Sequence, residues 1–151
     1  MHRFGEEYQR SHDIDWFARI GSIRIHAMSF GGLLPSTIDR YNNTKLLYAA
    51  YRNEPDIENL IYNEEYINER VYRMSRGGDM SIIRDKYLRH FTEMASRGFF
   101  SFDRSLSEEN RYHLIVRPAE ICELEFDGIE FPIMSEDNLF KIDDKNMTFT
   151  F

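Results

Sequence analysis

Five histidines, His2, His12, His26, His90 and His113, carry most of the acid–base chemistry this sequence offers near neutral pH. No two stand three to five residues apart, and neither HExxH nor Cys-x-x-Cys occurs, so spacing predicts no metal site. His12 and Asp15 are near enough for an imidazole to meet a carboxylate, and a hydrogen bond at a hairpin entry is the expected use. Asp13 with Asp15, and Glu123 with Glu125, share the spacing that puts both carboxylates on one strand face, where solvation explains them. No serine stands in a GxSxG elbow, which leaves Ser22, Ser29 and Ser101 without support as hydrolase nucleophiles. Gly31-Gly32 falls between a predicted strand and a predicted helix, where backbone N–H groups can hold an anion. The third glycine and the lysine of phosphate-binding loops are missing there, so a plain turn is the default. Cys122, the single cysteine, permits no intrachain disulfide and is expected to be a buried, inert thiol.

The stretch that must position these groups is His12 to Gly32. It reads as two strands joined at Gly21-Ser22, a two-residue turn with glycine first, as a type II′ hairpin wants. With Ile20 and Ile23 flanking the turn, Arg19 faces Arg24, Ala18 faces Ile25, Phe17 faces His26 and Trp16 faces Ala27. Alternation then gives an apolar face of Ile14, Trp16, Ala18, Ile20, Ile23, Ile25 and Ala27. The opposite face holds Asp13, Asp15, Phe17, Arg19, Arg24, His26 and Met28, the most function-like surface in the chain. Arg19 and Arg24 form a like-charge pair that wants open water or a counter-charge, and Glu123, Glu125 and Glu130, within one molecule or across a dimer, or an anionic ligand are candidates to supply the latter.

Residues 1–11 read as a poorly ordered lead-in. Ser36 with Asp39 approximates a capping box for a first helix, which Asn42-Asn43 is expected to interrupt. A longer amphipathic helix is predicted over Ile57, Leu60, Ile61, Ile67, Val71 and Met74, stopping at Gly77-Gly78. Asp79 or Ser81 caps the next, whose stripe is Ile83, Tyr87, Leu88, Phe91, Met94 and Ala95. From Phe99 the pattern turns to strands: 99–103, 111–117, a hairpin of 121–126 and 129–134 around Asp127-Gly128, and a last pair at 139–142 and 147–151. The order predicts one α+β domain over 1–151: an N-terminal hairpin, about three helices, then a mostly antiparallel sheet with the helices on one face.

Charge narrows the function classes. Of 19 basic and 26 acidic side chains, residues 99–151 carry five and twelve, so the whole excess lies in the last third. Such a balance argues against nucleic-acid binding and favours a basic protein partner. Met1 to Arg10 has no apolar signal region and no apolar run is long enough to span a membrane, so a cytoplasmic protein is expected.

In chain order, His26, then Phe100-Ser101-Phe102 and Tyr112, then Glu123, Glu125 or Glu130, the sequence loosely resembles the NAD-dependent ADP-ribosyltransferases. The resemblance implies that His26 holds a ribose, with Ser101 or Tyr112 beside it, and that a late glutamate such as Glu125 stabilises an oxocarbenium-like transition state. The serine-threonine-serine strand of one branch is not matched. The leading expectation is a small non-catalytic binding protein of a bacterial immunity, antitoxin or adaptor type, without a cofactor and with a homodimer as one assembly to test. Its expected binding residues are Arg19, Arg24, His26, Gly31, Gly32, Glu123, Glu125 and Glu130. The transferase-like enzyme is the alternative.

Overall fold

Asp15–Ile20 (β1) and Ile23–Met28 (β2) pair antiparallel in the expected register, Trp16 opposite Ala27 and Arg19 opposite Arg24. Gly21 takes the positive φ, 58°, that the turn demands of its first residue. In a computed structural model describing residues 1–151, this hairpin belongs to an eight-stranded sheet curled into a half-barrel. The remaining strands are Leu60–Tyr62 (β3), Phe100–Arg104 (β4), Arg111–Pro118 (β5), Ile133–Met134 (β6), Leu139–Lys141 (β7) and Met147–Thr150 (β8). The strand order is β6-β1-β2-β4-β5-β8-β7, with β3 also on β5. The sheet is mixed, because β4 lies parallel to β2 and β6 parallel to β1. The β2–β4 pairing follows from the chain passing through its helices between them, a crossover that returns it in the same direction.

The apolar face of the hairpin has its predicted fate, but the mixed face, read from sequence as a surface, is largely buried. Trp16 and its apolar neighbours line the inside of the curl with Phe102, Tyr112 and Phe149, and Trp16 is fully buried. Its indole N–H donates to the Tyr112 hydroxyl at 3.3 Å. The mixed face turns outward and is covered by Arg40–Arg52 (α2), Glu64–Ser75 (α3) and Met80–Ser96 (α4). A short helix, Glu6–Ser11 (α1), replaces the expected lead-in; its buried Gln9 accepts from the Leu34 N–H at 2.7 Å.

Three local readings need correction. The first helix begins at Arg40 with Asp39 as N-cap, and Asn43 does not interrupt it. Asn43 instead docks α2 on β1, donating to the Asp15 carbonyl and accepting from the Phe17 N–H, groups that β6 leaves unpaired because it reaches only Arg19 and Ile20. The long helix predicted from Ile57 is a strand followed by a helix. Leu60–Tyr62 pairs with β5, and α3 starts only after Asn63, whose side chain accepts from the Tyr66 N–H and donates to the Leu114 carbonyl. A short apolar run fits either period, and here the open edge of β5 decides.

The hairpin predicted around Asp127-Gly128 keeps its turn, Gly128 at φ 73°, but only one bridge, Phe126 to Ile129. Its side chains Leu124, Phe126, Ile129 and Phe131 pack instead on Phe17, Leu46 and Phe99. The chain beyond Pro132 is drawn onto the edge of β1, where the Arg19 N–H donates to the Pro132 carbonyl at 2.8 Å. Residues 119–132 therefore form an irregular strap across the outer face.

Candidate functional site

β4 carries two polar residues on its outer face, Ser101 and Asp103, under a helix that carries Tyr87 and His90 one turn apart. Ser101 and His90 belong to one cluster, Asp103 and Tyr87 to a second. In the first, Asp15 Oδ1 lies 2.6 Å from His26 Nε2 and 2.5 Å from His90 Nε2, while His26 Nδ1 meets Ser101 Oγ at 2.6 Å. His26 and Ser101 are wholly buried; the Asp15 and His90 side chains keep 20% and 29% exposure, so only they face outward. Burial pushes the Asp15 carboxyl up, but hydrogen bonds from both imidazoles outweigh it and hold the group well below the ordinary carboxylate range. The bond to Asp15 raises His90, whereas burial dominates at His26 and lowers it, favouring a neutral ring.

In the second cluster Asp103 Oδ2 accepts from Arg70 Nη2 at 2.9 Å and from the Tyr87 hydroxyl at 2.7 Å. Its Oδ1 accepts from the Arg104 N–H at 3.0 Å. The Arg70 guanidinium also donates to the Arg104 carbonyl and lies within 6 Å of the Phe30, Tyr66 and Tyr87 ring centroids. Both charged side chains are sealed, and burial pushes Asp103 up to about 6 despite the guanidinium. The same burial raises Tyr87 far above the ordinary phenol range. A cleft of about 680 Å³ between α3, α4 and the loop after β2 opens onto both clusters; Met28, Phe30 and Phe91 give it an apolar floor.

The residues expected from sequence are dispersed among different roles. His26 and Ser101 do meet. Tyr112 lies on the opposite face of the sheet, stacked on Phe149 at 4.9 Å beside Trp16. Glu125 lines a separate groove with Arg19 and Arg24, so the constellation inferred from the transferase resemblance is not assembled. The arginine pair is not met by carboxylates either. Arg24 donates to the Leu124 and Ser22 carbonyls and lies 5.8 Å from the Phe131 ring centroid, Arg19 stays exposed, and no ion pair joins them to Glu123, Glu125 or Glu130.

Gly31 and Gly32 hold no anion site, because their N–H groups already donate to the His12 and Ser29 carbonyls. Arg104 clasps that loop through the Ser29 and Phe30 carbonyls, close enough to Gly32 that a Cβ there would collide with it. Cys122 is half-buried on the strap, and burial raises its thiol. His12 turns to the Tyr8 carbonyl and not to Asp15.

Asp15 and His90 were missed as partners of His26, and so was the whole Arg70–Tyr87–Asp103 set. One signal was present: Asp15 and His26 share the predicted outer face of the hairpin. His90 sits three residues after Tyr87, at the margin of the helical stripe, and no local spacing links it to either strand. Comparison with protein-family models, curated proteins and solved structures finds no match to this chain. No helix is long and apolar enough to cross a membrane.

Proposed function

We propose that this protein is a non-catalytic binding protein that takes a basic segment of a protein partner in the groove beside the strap. The supporting observation is that groove, about 900 Å³, lined by Asp39, Glu125, Asp127 and Glu130 against only two arginines, Arg19 and Arg24. Arg24 is already committed to backbone carbonyls, so the unspent charge of the groove is acidic. Residues 120–130 add Glu120 and Glu123 and contain no lysine or arginine. Such a field steers basic partners and selects among them more than it adds affinity. An immunity, antitoxin or adaptor role in a bacterial cytoplasm suits this surface, with a homodimer as one possible assembly.

The transferase-like alternative keeps one support, the His26–Ser101 contact. Both residues are sealed from solvent, which suits fastening β2 to β4 better than holding a nucleotide.

Affinity capture tests the binding reading. The native chain is compared at low salt with a Glu125→Gln, Asp127→Asn, Glu130→Gln variant, whose substituted side chains are all exposed. A stoichiometric basic protein retained by the native chain and lost by the variant is the expected result. No retained protein, or equal retention by both chains, overturns it. Release of nicotinamide from NAD by the purified chain would favour the alternative.

A further inference from the structure

We propose that Asp15, His26 and His90 form a mononuclear site for a divalent transition-metal ion of the zinc class, an inference independent of the groove. Three strongly ligating atoms, Asp15 Oδ1, His26 Nε2 and His90 Nε2, lie within 4.8 Å of one another. They come from β1, β2 and α4, so the fold and not a local sequence motif gathers them. Two imidazoles and one carboxylate suit zinc and its neighbours, whereas magnesium and calcium take oxygen donors.

The ring nitrogens turned away from the cluster carry the argument further. His26 Nδ1 points at Ser101 Oγ, 2.6 Å away, and His90 Nδ1 faces Glu93 Oε2 at 3.7 Å. In the ion-free cluster each Nε2 donates its proton to Asp15; when an ion takes that place, an oxygen on the far side can accept from Nδ1–H, the outer support that metal-bound histidines use. Ser101 stands at hydrogen-bond distance from His26, Glu93 is an ionic neighbour of His90, and both Nε2 atoms converge on one carboxylate oxygen. Without an ion the same atoms satisfy one another by hydrogen bonds. Bonds of 2.0–2.2 Å in tetrahedral array need ligand atoms roughly 3.3 Å apart. From 2.6 and 2.5 Å, Asp15 Oδ1 must therefore draw back from each imidazole nitrogen by roughly 0.8 Å. His90 and Asp15 are the partly exposed members and can move, while His26 is fixed in the sheet. Their exposed side also leaves the fourth position to water and gives the ion a way in.

Zinc chloride titrated into chelator-treated full-length chain, read by competition with a chromophoric chelator, tests the site. The expected result is one zinc per chain, with affinity at least tenfold weaker in His90→Ala and unchanged in His12→Ala. Circular dichroism checks that His90→Ala is folded. Cobalt supplies an independent readout: tetrahedral visible bands in the native chain and none in His90→Ala. Should His90→Ala fail to fold, His90→Gln replaces it in both measurements. Absence of one-to-one binding, or binding that survives loss of His90, overturns the proposal.

Discussion

Two clusters two residues apart on β4 treat the same side chain in opposite ways. Asp15 is held well below the ordinary carboxylate range, and Asp103 is pushed up to about 6. Both lose water on folding. Asp15 keeps a window to solvent and gains hydrogen bonds from two imidazoles. Asp103 is sealed by α3 and α4 with a single cation for company. The difference shows that the balance between desolvation and paired charge, not the presence of a salt bridge, sets how a buried carboxylate behaves. The first cluster is fitted to exchange with its surroundings; the second is a fixed bolt between α3 and the sheet.

Removing the cation from the sealed cluster should have the largest effect. Arg70→Leu leaves Asp103 buried without its partner, and such truncations cost about 3–5 kcal/mol. Replacing both groups at once, Arg70→Leu with Asp103→Asn, should recover more than half of that loss, since the amide still accepts from Tyr87. Urea unfolding measures both variants. The partly exposed imidazole of the other cluster provides the contrast: His90→Ala should cost about 1.5 kcal/mol, the low end for a hydrogen bond to a charged group, because the pair keeps a window to solvent. Similar losses for Arg70→Leu and His90→Ala would erase the distinction between bolt and rim.

The pH dependence of the bolt comes next in size. The groups facing Asp103 are Arg70 and Tyr66 from α3, Tyr87 from α4, Asp13 ahead of β1 and its own neighbour Arg104. Its folded value lies above the unfolded one, so the folded state holds the proton more tightly. The stability this confers is fully present below about pH 4 and is lost as pH rises through 6. Relative to Asp103→Asn, the native chain should therefore lose on the order of 2 kcal/mol between pH 4 and pH 7. A difference that stays flat or grows with pH would place Asp103 with Asp15, as a carboxylate held ionised.

How much of this was legible in the sequence differs with the range of the interaction. The β1–β2 hairpin was readable to the residue, because a two-residue turn at Gly21-Ser22 fixes register and a clean apolar face fixes orientation. The Asp127-Gly128 turn was an equally good local signal, and its ladder did not form. There the edge of β1 and the apolar patch of Phe17, Leu46 and Phe99 outbid the local pairing. The β3 strand was lost to helical spacing for the same reason, since only β5 makes it a strand. The candidate site was half visible: Asp15 and His26 share a face two strands wide, but His90 reaches them across 75 residues through a helix packing no spacing encodes. Asp103 and Arg70 read as ordinary strand and helix charges until α3 closes over β4.

The smallest difference, about 1 kcal/mol between two hydroxyl deletions, separates the clusters most cleanly, because each contains one hydroxyl that can be removed without changing charge. Tyr87 donates to a buried carboxylate at 2.7 Å, and Ser101 meets a neutral-leaning imidazole at 2.6 Å. Hydrogen bonds to charged groups contribute about 1.5–3 kcal/mol and neutral ones about 1 kcal/mol. Tyr87→Phe should therefore destabilise about twice as much as Ser101→Ala, although the two distances nearly match. Tyr87→Phe also removes a donor that favours ionised Asp103, so it should extend the pH range over which the native chain loses stability to still higher pH. Ser101→Ala should leave that range unchanged, because Ser101 touches His26 and not Asp103. Unfolding both variants across pH 4–8 decides the matter. A shift of the range in Ser101→Ala would mean that the two clusters titrate as one unit through β4.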